Sequence, residues 1–77
     1  MNFQEDIQNF IESLEQRPDF GKDMALKRVV QLLKEANTQK DLQERKSLIG
    51  RVAIDGIESW DTINLISSFM TSHTKSS

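Results

Sequence analysis

The residues with the greatest chemical potential in this 77-residue chain are few. There is one histidine, His73, and no cysteine. His73 lies in the Ser- and Thr-rich stretch 71–77, where a side chain is expected to be solvated, so neither a His-based triad nor a two-His metal site is expected. The absence of thiols removes disulfides and thiolate zinc sites. Glu12 and Glu15 share one side of a helix, but a carboxylate metal site needs further ligands from facing helices, and these two belong to a polar face. Gly21, Gly50 and Gly56 are too widely spaced to cradle a phosphate, and no Gly-rich run ends in Lys-Ser or Lys-Thr. No catalytic residue, cofactor or metal is therefore expected.

Ser59 follows Gly56 and the acid Glu58, and precedes Trp60, Asp61 and the apolar Ile63 and Leu65. This ten-residue segment, 56–65, resembles the phosphopantetheine attachment segment of acyl carrier proteins. The resemblance implies that Ser59 is the modified residue and that a helix starts there. The sequence departs from that family in two respects: only 18 residues follow Ser59 in it, and segment 22–51 is basic where the carriers are acidic. As ordinary first-turn residues of a helix, Ser59 and Asp61 need no modification, and this simpler reading is preferred.

Charge is distributed unevenly along the chain although its net value is only −2. Residues 1–21 carry five acids against Arg17, residues 22–51 carry eight bases against four acids, and the remainder carries three acids against Lys75. The basic segment 22–51 makes a nucleic-acid-binding regulator the alternative functional reading. Its bases are interleaved with acids, as on solvated helix faces, and a lone Trp with no Tyr provides no stacking platform.

The elements that must position these residues are helices. Phe3, Ile7, Phe10, Ile11 and Leu14 fall on one stripe, with Asn2 and Glu5 forming a capping box and Pro18 ending the run. Phe20 is expected to tuck under the helices. Leu26, Val29, Val30 and Leu33 form a second stripe, widened by Ala25, Leu32 and Ala36, with Asn37 as a left-handed stop. Thr38 and Asp41 form the next capping signature, for a helix carrying Leu42, Ile49, Val52 and Ala53. Gly50 weakens that helix, and the alternation of Val52 and Ile54 admits a strand over 49–57, which would have no partner strand. Asp55 and Glu58 offer a cap for a last helix bearing Ile63, Ile66, Phe69 and Met70.

These signals predict an all-α fold: a compact bundle of four short helices at roughly 2–16, 23–36, 39–53 and 56–71, with a disordered tail at 72–77. The bundle is a single domain, 1–71. Short apolar runs make a membrane span unexpected, and the start of the sequence has no basic region followed by an apolar run, as a secretory signal would. With no cysteine, a cytoplasmic location is expected. Leu, Ile, Val and Phe make up 21 of 77 residues, enough to fold but with little margin. The last helix is apolar on too many sides for one core, so Trp60, Leu65, Phe69 and Met70 are the expected binding face. The expected function is that of a non-enzymatic regulatory or adaptor protein that contacts another protein or a second copy of itself.

Overall fold

The computed structural model describes residues 2–74. Those residues form five helices and no strand: α1 (Phe3–Glu15), α2 (Met24–Lys34), α3 (Gln39–Glu44), α4 (Lys46–Gly56) and α5 (Trp60–His73). The all-α expectation holds, and the stretch considered as a strand over 49–57 is helical through Gly56, with Ile57 extended. The number of helices does not hold, because the expected third helix divides at Arg45.

Four of the five helices start where a short polar side chain satisfies a free amide, whereas α4 follows Arg45 with no side-chain cap. Asn2 Oδ1 accepts from the Gln4 amide at 2.8 Å, Asp23 Oδ1 from Leu26 at 3.1 Å, and Ser59 Oγ from Thr62 at 3.3 Å. At α3 the capping box is complete: Thr38 Oγ1 accepts from the Asp41 amide, and Asp41 Oδ2 accepts from Thr38 at 3.2 Å. The Asn37 amide also donates to Asp41 Oδ2, at 3.0 Å. Asn37 is therefore part of the α3 cap and not a left-handed stop for α2; no non-glycine residue among those described has positive φ.

The division at Arg45 has no Pro or Gly to signal it. The Arg45 amide is shared between the Asp41 and Leu42 carbonyls, and its φ, ψ of −95°, 0° leave the α-helical region. The bend lets α3 turn onto α5 while α4 lies along α2. The cap expected from Asp55 and Glu58 does not form, because α4 continues through Gly56 and Ser59 caps α5.

All four expected stripes turn inward. Leu14, Leu26, Val29, Leu33, Leu42 and Ile49 have no accessible surface, and Phe20 packs against the edge of the core as expected. α2 and α4 make the most extensive helix–helix contact in the fold. A Cβ on Gly56 would lie 2.4 Å from Ala25 Cβ, so only glycine permits this approach. The helix expected to stop at Thr71 continues to His73, and Thr74 is buried, its hydroxyl donating to the Met70 carbonyl. The expected disorder is thus incorrect for 72–74; 75–77 lie outside the described residues.

Candidate functional site

Two features lie where the loops meet α5. The first is a polar link between the α1–α2 turn and α5. Thr62, fully buried, donates from Oγ1 to Asp19 Oδ2 at 3.2 Å, while Asp19 Oδ1 lies 3.5 Å from Arg17 Nε. Neither Arg17 Nε nor Asp19 Oδ1 has a hydrogen bond, so the ionic contact alone offsets their burial. The second feature is a junction at the starts of α2 and α5. Asp23 caps α2 with one oxygen and accepts from the Glu58 amide with the other, at 3.3 Å. An open groove of about 700 Å³ lies here, lined by Asp19, Lys22, Met24, Gly56, Glu58 and Ser59 among others.

The first helical residues on either side of this junction are both large, apolar and exposed: Met24 at 76 % and Trp60 at 69 %. Neither is needed by the core, because the stripes of α2 and α5 start at Leu26 and Thr62. A Trp side chain fixed at the start of a capped helix presents a rigid apolar surface at low entropic cost.

The four residues of the expected binding face do not form one surface. At 3.6 residues per turn Trp60 and Leu65 point about 140° apart. Met70, at 4 % exposure, belongs to the core. Phe69 is half-buried and stacks on Phe10 of α1, with ring centroids 4.1 Å apart and planes within 1°. Leu65 is exposed one turn before Phe69. The breadth of α5 is explained mainly by its neighbours: α3 and α4 pack against it, and α1 meets it through the aromatic stack.

His73 extends that stack. Its ring lies 4.3 Å from Phe69 and edge-on to Phe3 at 6.4 Å, and its carbonyl accepts from Gln39 Nε2 at 2.7 Å. The residue expected in a solvated tail instead joins α1, α3 and α5. Glu12 accepts from Gln8, and Glu15 pairs with Lys34 at 2.9 Å. No group of three or more His, Cys, Asp or Glu among the described residues is placed to hold a metal.

Compared with protein-family models, curated proteins and solved structures, the chain matches none. Geometry must therefore carry the functional reading. Ser59, the residue picked out by the carrier-protein resemblance, is half-buried and its Oγ is engaged as the cap of α5. In the basic segment, Lys34 is tied to Glu15 and Arg45 lies 3.9 Å from Glu35, so two of its cations already bridge helices. No described helix is long and apolar enough to cross a membrane.

Sequence reasoning missed Met24, Leu48 and Ile54 as exposed apolar residues. For Met24 a signal existed: it follows the capping Asp23 and lies outside the Leu26 stripe. For Leu48 and Ile54 the signal was obscured, because the helix or strand character of 49–57 was open.

Proposed function

We propose that this chain is a non-enzymatic helical module that acts by contacting another protein, as a regulator or adaptor, in the cytoplasm. Its contact face centres on Trp60 and takes in Met24 and the groove that Met24 and Ser59 line. The exposure of Trp60 carries this reading: burying an aromatic of this size on a partner removes about 150–250 Å² of surface from water, a typical interface anchor. Glu58 and Asp61, its near neighbours in the chain, are exposed beside it, which favours a partner with basic residues next to an apolar recess. The nucleic-acid alternative has weaker support, because part of the basic segment is engaged in ion pairs within the fold.

The test is affinity capture from the native host with the wild-type chain and a Trp60→Ala variant as parallel baits. A protein retained by the first and lost from the second is the expected result. For that protein, the fluorescence of the single Trp should shift to shorter wavelength as it is titrated in. Identical captures by both baits, or a titration that leaves the Trp emission unmoved, would refute the reading.

A further inference from the structure

The helix least explained by the fold is α4. It buries only Ile49 and Ala53, yet it carries two large exposed aliphatic residues, Leu48 and Ile54, the latter at 63 %. At 3.6 residues per turn Ser47, Leu48, Arg51, Ile54 and Asp55 fall on the outward side, with half-buried Val52 at its edge. This face mixes apolar groups with one cation and one anion a helical turn apart. Arg51 and Asp55 have the spacing of an intrahelical pair, but among the described residues neither forms an ion pair.

We propose that the outward face of α4 is a self-complementary docking surface whose occupant is the same face of a second copy, packed antiparallel about a two-fold axis. The pair of opposite charges, exposed on one face, fits this occupant. A face bearing a single sign of charge would repel its own copy. Here the two charges are of opposite sign, so an antiparallel copy about a two-fold axis midway between them sets Arg51 of each copy against Asp55 of the other, two equivalent pairs in one isologous interface. Ile54, level with these pairs, loses water when the helices meet, whereas Leu48 lies level with position 58 of the copy, just past the end of its α4. The antiparallel arrangement also opposes the helix dipoles favourably, and a net charge of −2 gives two copies little long-range repulsion.

The surface is small. α4 has 11 residues and is about 16 Å long. A pair of such helices falls in the class below about 1,200 Å² of buried surface, that of weak, transient contacts. Association is therefore expected in the high-micromolar range and should weaken with salt. It adds to the proposal that the chain acts by contact, but uses a different face from Trp60, so the two readings can fail separately.

Sedimentation equilibrium of the full chain from about 10 μM to about 1 mM, concentrations suited to a weak contact, tests the proposal. The weight-average mass should rise from 8.9 kDa toward twice that value. Arg51→Glu and Asp55→Arg should each abolish the rise, since each sets like charges together twice. An equimolar mixture of these two variants should associate, and so should the double variant R51E/D55R, because both restore opposite pairs. Trp60→Ala should associate like wild type. Unchanged circular dichroism shows that each variant is folded. A wild-type chain that stays monomeric to 1 mM would overturn the proposal, as would a mixture or double variant that stays monomeric while wild type associates. Neither outcome affects a partner captured through Trp60.

Discussion

Two glycines of α4 should respond in opposite directions to the same substitution. Gly50 is inside the helix, and a Cβ there meets nothing within 4 Å. Gly50→Ala should therefore gain the helix-propensity difference of about 0.5–1 kcal/mol with no steric cost. For a domain of this size that raises Tm by about 2–8 °C. Gly56 is the last residue of the same helix, and its Cβ would stand 2.4 Å from Ala25 Cβ and 3.8 Å from Ala25 Cα. Neither atom is the end of a flexible side chain, so α2 and α4 must move apart, a cost of about 1–3 kcal/mol as in other overpacked cores. Urea denaturation of the two variants and wild type, with slopes compared, measures both effects. Adding Ala25→Gly to Gly56→Ala should recover part of the loss, and the double-mutant cycle isolates the contact. A Gly56→Ala variant as stable as Gly50→Ala, or a cycle with no coupling, would show that α2 and α4 do not cross at Ala25 and Gly56.

Other expectations follow from the caps, the buried link and the core. Thr62→Val should lose about 1–2 kcal/mol in chemical denaturation, since it leaves Asp19 Oδ2 without its buried donor; Ser59→Ala should cost about 1 kcal/mol through the lost cap. Leu42→Ala, at a site with no accessible surface, should lose about 2–5 kcal/mol, whereas Trp60→Ala should change stability by less than about 0.5 kcal/mol, as for an exposed residue outside the core. Asp41 is held below its ordinary 3.8, first by the Asn37 amide and then by the Thr38 amide and hydroxyl and the charge of Arg45, with desolvation opposing them. In the pH range just below that value the unfolded chain binds more protons than the folded one. The Asp41 contribution is thus present above 3.8 and lost as pH falls through its folded value, and Asp41→Asn should show a shallower acid dependence of the urea midpoint than wild type.

The inward face of each helix was legible in the sequence, because apolar residues recurring every three or four positions can meet only along a helical stripe. The stripes from Phe3 to Leu14 and from Leu26 to Leu33 needed nothing else, and Asn2 and Thr38 showed where helices start, because capping is a contact between near neighbours. What the tertiary structure alone decided is how the helices bend and which apolar flanks find cover. The break at Arg45 has no local signal, since it arises from α3 docking on α5 while α4 follows α2. The stack of His73 and Phe69 on Phe10 joins residues far apart in the chain, which removed His73 from the expected tail and Phe69 from the expected binding face. Met70 became core and Ile54 surface for the same reason: periodicity gives the angle of a side chain around its own helix, whereas exposure depends on which other helices lie at that angle.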